Sequence, residues 1–326
     1  MRVSKAYPAI IPLTLALSRE GRGKRFQIKA MIKTRDIGPV KILFGKFPAF
    51  PYCNTLLIRD GQTLLVDPAC EQRALQALAV EGGIDFLFNT HYHPDHIRYN
   101  GFFAGAEFMV HREDAPCFRS LDSMAAWVGI KGTEYEKSWK SSMNEDFGFQ
   151  ERAIIREVED GMTLSLGKIT IQFMHLPGHT PGHSGFFISE LKILFMADME
   201  LSPLGPWYHN RQADIESVIC SVEKIRKVSA DYYIPSHGQE VFTGDIGPRL
   251  DRYLENIYAR EEKILRALEV PRTLDEVTSL SLISRFRLAR NQVWYLFERN
   301  MIEKHLDRLL AQEKISRRGE KYRRET

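Results

Sequence analysis

Three histidines and one aspartate stand within the six residues His91-Tyr92-His93-Pro94-Asp95-His96. Imidazole nitrogen and carboxylate oxygen are donors that divalent zinc, iron or manganese accepts. A regular helix would send these four side chains to different faces, and a strand would split them by parity. A tight loop can aim all four at one point. The preceding run, Ile84-Asp85-Phe86-Leu87-Phe88-Asn89, is short, largely apolar and free of Gly and Pro, which reads as a buried strand. The cluster is therefore expected on the loop leaving that strand's C-terminal end, where α/β folds keep their chemistry.

Partners for the cluster come in three later places. Pro177-Gly178-His179-Thr180-Pro181-Gly182-His183 follows the strand-like Ile169 to Met174. Asp198 ends the apolar run Ile193 to Ala197, and His237 follows Tyr232-Tyr233-Ile234-Pro235-Ser236. Each polar residue stands where an apolar strand runs out. The order HxHxDH, Gly-His-Thr, strand-end Asp and Ser-His-Gly resembles the metallo-β-lactamase superfamily over about residues 40 to 245.

The resemblance implies a four-layer αβ/βα sandwich with its site at one edge. It implies a first metal on His91, His93 and His179, a second on Asp95, His96 and His237, and Asp198 bridging both. The residues agree with two divalent ions, because seven N/O ligands are too many for one tetrahedral ion. Zinc is the expected metal, with iron or manganese as alternatives. Hydrolysis by a hydroxide held between the metals follows, with Asp95 able to take its proton. In the family an Asp at the position of Asp67 supports a metal-binding His from behind; the alternative is a turn Asp before Pro68. His183 matches the family's second His, which is structural rather than a ligand. The lead substrate is a small ester, thioester or lactone, as in the glyoxalase II and lactonase branches. The alternative is RNA, cut by an endonuclease.

The chain has 326 residues, enough for one large domain and a small one. Hydrophobic residues make up 44% and charged residues 27%, and no apolar run approaches a membrane span, so no membrane partner is expected. Cys53, Cys70, Cys117 and Cys220 show no framework spacing, which points to free thiols and a cytoplasmic, reducing compartment. The net charge of +3 conceals an asymmetry. Residues 1–30 carry seven basic residues and one acid, and the chain from 249 onward carries 18 basic and 13 acidic side chains. The stretch between is acidic.

Residues 1–30 lack core periodicity and are expected to form a disordered extension outside the fold, with the domain starting at Met31. The catalytic domain then spans 31–248. Asp36 to Lys46 opens it with a strand, and Asp60-Gly61 marks a hairpin. Phe47 to Tyr52 is a Pro-punctuated aromatic loop that either lines a pocket or packs. Glu71 to Val80 and Ala213 to Val228 have helical spacing. His111 has no partner motif. Residues 115–150, rich in Trp, Met and Phe with little period, form an insertion that either shapes a pocket or covers the core. Ser202 to Gln212 is another aromatic loop, where Tyr208 and His209 are candidate substrate contacts, or simply packed residues. Residues 249–326 show helices, a capping box at Thr273 to Glu276, and a hairpin about Gly319. That order resembles a winged helix. It could serve docking or dimerisation, or bind nucleic acid as a separate module.

Overall fold

The computed structural model describes residues 32–284 and 292–325. The expected extension at residues 1–30 lies outside them. The first sheet runs β1 (Thr34–Ile37), β2 (Val40–Leu43), β3 (Thr55–Asp60), β4 (Gln62–Val66), β5 (Phe86–Asn89), β6 (Glu107–His111) and β7 (Arg156–Val158) in simple order. It is antiparallel as far as β4 and parallel from there. The second sheet contains β8 (Thr163–Ser165), β9 (Thr170–His175), β10 (Ser184–Ile188), β11 (Ile193–Ala197) and β12 (Tyr232–Pro235), with only β11 and β12 parallel.

Strand parity builds the layers. Leu56, Ile58, Leu64, Val66, Phe86 and Phe88 of the first sheet face Ile171, Phe173, Ile193 and Phe195 of the second, in one core between them. Their neighbours Leu57, Leu65 and Leu87 point outward to a second core, and Met174, Leu194 and Met196 point outward to a third. Both faces are buried, which is why these strands read as unbroken apolar runs. Helices α1 (Gln72–Glu81), α3 (Ala115–Arg119), α4 (Leu121–Val128) and α5 (Glu136–Glu145) cover the first sheet. Helices α6 (Ile215–Arg226) and α7 (Gly247–Ala267) cover the second. The architecture is the expected αβ/βα sandwich.

Local differences from the sequence reading have physical causes. The opening strand is a hairpin, because Gly38 turns the chain with φ +57° between β1 and β2. Residues 115–150 hold three short helices whose Cys117, Phe118, Met124 and Met143 seal the first sheet. The metal motif is only half a loop: Pro94 starts a single helical turn, α2 (Pro94–Ile97), carrying Asp95 and His96. Proline favours the first helical position because its missing N–H would have had no partner.

The tail is fused to the body through α7. Leu250, Tyr253, Leu254 and Ile257 lie in the third core, whereas Ile264, Leu265 and Leu268 lie in a fourth, with residues of the tail. The expected boundary at 248/249 thus falls at the start of a helix that serves both cores. Beyond it come β13 (Arg272–Thr273), α8 (Leu274–Thr278), α9 (Gln292–Ala311), β14 (Ile315–Arg318) and β15 (Lys321–Arg324), the strands pairing as β13-β15-β14. Thr273 and Glu276 form the reciprocal cap that opens α8. Among the described residues no helix is long and apolar enough to cross a membrane.

Two glycines hold the β9–β10 loop in place. A Cβ on Gly178 would meet the Val218 backbone nitrogen at 2.4 Å, and its φ is +123°. A Cβ on Gly182 would meet the Asp114 nitrogen at 2.5 Å. Gly178→Ala is expected to push the loop off the start of α6. Overpacking of this kind costs about 1–3 kcal/mol, before backbone strain is added. Denaturant unfolding of the variant checks this, and an unchanged midpoint would show that the loop yields freely.

Candidate metal centre

The C-terminal ends of strands from both sheets meet on one rim. Parallel pairing sets Val66 beside Phe88 and Ala197 beside Pro235, so the residues after β4, β5, β11 and β12 emerge together. They are Asp67, His91 to His96, Asp198 and His237. The β9–β10 loop joins them, held where the Ser184 amide donates to the Thr90 carbonyl at 3.0 Å. The Asn54 amide crosses the rim to the Ser236 carbonyl at 2.6 Å.

Hydrogen bonds behind the rings decide which nitrogen faces in. His179 Nδ1 donates to the Trp207 carbonyl at 2.6 Å, which can only accept, so its Nε2 presents a lone pair. His96 Nδ1 lies 2.9 Å from Asp67 Oδ2, which leaves Nε2 as the nitrogen turned inward, free to coordinate once its own proton is lost. Thr90 Oγ1 donates to Asp67 Oδ2 at 2.7 Å and so accepts from His91 Nδ1 at 3.0 Å. Asp67 thus contacts Thr90 and His96 from behind the candidate ligands, and it sits at φ +46° with its side chain fully buried. His183 spends both nitrogens, donating to the Leu176 carbonyl at 2.8 Å and accepting from the Asp198 amide at 3.0 Å. It has no lone pair to offer and acts by holding Asp198.

The inward atoms form two sets. His93 Nδ1 lies 2.9 Å from His91 Nε2 and 2.8 Å from His179 Nε2. Asp198 Oδ2 is 3.2 Å from His179 Nε2. The other oxygen, Oδ1, is 3.1 Å from His96 Nε2 and 3.6 Å from His237 Nε2, and Asp95 Oδ2 is 3.4 Å from His237 Nε2. One carboxylate thus faces both sets. His96 Nε2 and Asp198 Oδ1 are buried without a hydrogen-bond partner. A cation between these atoms would satisfy them, so the donor set fits divalent metal.

A family model described as the metallo-beta-lactamase superfamily matches residues 49–237, more than half of the chain. The chain belongs to that superfamily. Its members are metal-dependent hydrolases, and the converging His and Asp side chains equip this one as such. It is 25% identical over 128 residues to a "Beta-lactamase-like protein 2 homolog" of Caenorhabditis elegans, covering 39% of this chain and 40% of that protein. It is 27% identical over 153 residues to the hydroxyacylglutathione hydrolase GloC of Haemophilus influenzae, covering 45% of this chain and 65% of that one. The chain thus spans less than two thirds of either relative's length. A metallo-beta-lactamase family protein from Thermus thermophilus superposes with a TM-score of 0.69 at 21% identity, over 88% of this chain and 99% of that one. That likeness shows a shared fold.

The superfamily motifs do not reach every residue at the centre. Asn210 bonds His93 Nε2 at 2.5 Å. The atom that approaches is Nδ2, and Asn210 Oδ1 has no partner; with His93 Nδ1 turned inward its Nε2 carries the proton, so the side-chain amide is assigned end for end, with Oδ1 accepting from His93. Glu200 Oε1 lies 3.8 Å from His237 Nε2, and Glu200, Asp198 and His237 could together hold an ion. Asn54 Nδ2 donates to the Pro235 and Gly238 carbonyls at 3.0 and 3.1 Å, bracing the His237 turn. Asn54 and Asn210 have no motif beside them, although Asn210 lies in the aromatic loop; Glu200, two residues beyond Asp198, stands close enough to a motif to have been found.

The two candidate substrate contacts part company. His209 stacks on His93, with ring centroids 5.1 Å apart, and borders the centre. Tyr208 is fully buried and faces the tail, its hydroxyl bonded to His305 at 2.8 Å and to Arg260 at 2.7 Å. A buried phenol needs a hydrogen-bond partner, and the tail supplies it. His111 is buried against His175, their rings 3.9 Å apart, away from the motif residues.

Burial pushes His91 and His93 well below the ordinary histidine range, with neighbouring imidazoles acting the same way. For His96 and His237 burial works against charge, but facing carboxylates prevail. Asp198 acts on both, with Asp67 on His96 and Glu200 on His237, and His237 is raised to about 9. Both therefore carry protons at neutral pH in metal-free protein and must lose them to coordinate. Loading with metal at pH 7 is expected to release protons, and affinity should rise with pH toward about 9. Titration calorimetry in two buffers of different ionisation enthalpy gives the proton count. A count of zero at pH 7 would contradict the assignment.

Proposed function

We propose that the chain is a dinuclear metal-dependent hydrolase of small thioesters or related esters and lactones. The observation that carries the dinuclear reading is the division of Asp198. Its Oδ2 faces the His91, His93 and His179 set while its Oδ1 faces His96 and His237. Two divalent ions held there would supply a nucleophilic hydroxide at neutral pH and polarise the scissile carbonyl. Zinc suits the first position, which has three imidazoles; iron or manganese suits the second equally with zinc.

The protein's own residues do the rest. Asp95 stands at the rim with its Oδ2 3.4 Å from His237 Nε2, and it would take the proton from the attacking water. His183 and Tyr253 fix the backbone of Asp198, the tyrosine donating to its carbonyl at 3.3 Å. Trp207, His209 and Phe297 make an aromatic border beside His93. Such a border favours an apolar acyl group over a phosphate, which would call for Lys or Arg. The relative named as a hydroxyacylglutathione hydrolase supports a thioester substrate.

Metal-reconstituted protein should hold two ions per chain and cleave short acyl thioesters faster than phosphodiesters or RNA. Chelation should abolish turnover and added metal restore it. Asp198→Ala should lose about one ion, and turnover should fall on the order of 100-fold with the fold intact by circular dichroism. Asp67→Ala should be milder, because Asp67 orients ligands without touching the metal. One ion per unsubstituted chain would remove the dinuclear reading. RNA cleavage with thioesters untouched would replace the substrate.

A further inference from the structure

Residues 204–211 form a segment without helix or strand between Asp198 and α6. One side of it is gripped by the tail and by α7. Arg260, only 5% exposed, donates to the Pro206 and Leu204 carbonyls, both at 2.6 Å, and to the Tyr208 hydroxyl at 2.7 Å. From α9, His305 Nε2 meets the same hydroxyl at 2.8 Å, Asn300 Nδ2 donates to the His209 carbonyl at 2.9 Å, and Lys304 Nζ donates to the Arg211 carbonyl at 3.1 Å. The Phe297 ring packs on His209 at 4.1 Å.

The other side of the segment grips the centre. The Trp207 carbonyl accepts from His179 Nδ1, Asn210 holds His93 Nε2, and the His209 ring lies on His93. These groups alternate along the chain with those held by the tail. Both imidazoles touched belong to the three-histidine position. The other position is braced from elsewhere, by Asp67 behind His96 and Asn54 behind the His237 turn.

We propose that α9 is a positioning element for the metal centre: through residues 206–211, Asn300 and Lys304 hold His93 and His179 in the orientation that binds metal. The tail would then be a working part of the site rather than an appended module. This rests on the reading of the site as a metal centre. A side chain that orients a ligand from behind controls affinity without touching the ion, commonly by 10- to 100-fold. The effect here should be confined to one position, because the segment supports only that one.

The test uses the full chain with Asn300→Leu and Lys304→Met combined. These remove both donors and keep bulk and stem. Co²⁺ affinity is read from d–d absorption in a His237→Ala background, leaving the three-histidine position, and in a His179→Ala background, leaving the other. The double substitution should weaken the first at least about tenfold and leave the second within about twofold. Lys304→Arg, which retains a donor, should restore part of the loss, and Asp307→Ala, on the exposed face of α9, should change neither. In metal-free protein, amide exchange should quicken across 204–211 and not elsewhere in the body. Equal weakening of both positions with a lower unfolding temperature would overturn the proposal in favour of a merely structural tail. So would unchanged affinity at the first position. If the unsubstituted chain bound no metal, the metal-centre reading would fail, while the exchange measurement would still decide whether α9 holds the segment.

Discussion

Ring nitrogens with lone pairs and no protons between them repel, and three such nitrogens, on His91, His93 and His179, face one another in the buried rim. They face one another because their outer nitrogens are committed elsewhere, to Thr90, Asn210 and the Trp207 carbonyl. The arrangement needs a positive charge at its centre, and much of the local structure keeps the rings from turning away. The parallel strands put the loop ends together. Gly178 and Gly182 let the β9–β10 loop pass close to α6 and Asp114. Asp67 accepts the positive φ that lets its carboxylate reach Thr90 and His96. Strain and buried polarity of this kind are tolerated where the surrounding packing over-determines them.

The ligand candidates are legible in the sequence because each is a polar residue immediately beyond an apolar run, and parallel strands end on one side. Their supports are not. Asn210 reaches His93 across 117 positions and Asn54 reaches the Pro235 carbonyl across 181. Nothing local marks either residue, because their partners are brought up only when the sheets close. Tyr208 misleads for the same reason: an aromatic in a Pro-Gly loop resembles a pocket wall until a helix far down the chain takes its hydroxyl. His209, one residue on, turns the opposite way and does border the centre. The sandwich is legible in outline, since strand runs and helical stripes alternate. Its edges are not: Gly38 converts one expected strand into two, and Pro94 converts half a loop into a helical turn.

The tail's charge and its packing point in different directions. The exposed hairpin carries Lys314, Arg317, Arg318, Lys321, Arg323 and Arg324, which accounts for much of the basic excess beyond residue 249. The helices behind it are committed to the body. Arg308 on α9 pairs with Glu261 on α7 and, at 2.5 Å, with Glu216 on α6, and Met301 lies in the core beneath the second sheet. A module evolved only to bind something else would be expected to share less of its interior with its neighbour. Here one helix, α7, belongs to both cores, so the two parts are bound to fold together.

The two proposed metal positions would not be chemically equivalent. The first offers three imidazole nitrogens and one shared oxygen. The second offers two imidazoles, Asp95, the shared Asp198 and, at the rim, Glu200, which lies 3.8 Å from His237. More oxygen donors make a harder site that accepts higher coordination numbers, and such sites take manganese or iron more readily than a compact nitrogen set does. The acids also compensate charge: burial raises Glu200 to about 6, so near neutrality it adds negative charge beside the second position and little in acid. Support is divided in the same way. The nitrogen-rich set leans on a loop held by the tail, the oxygen-rich set leans on Asn54, and Asp67 serves both, His96 directly and His91 through Thr90. A disturbance of the tail should therefore reach the nitrogen-rich set first, a disturbance of Asn54 the oxygen-rich set, and a disturbance of Asp67 both, with Asp198 the group that faces the two.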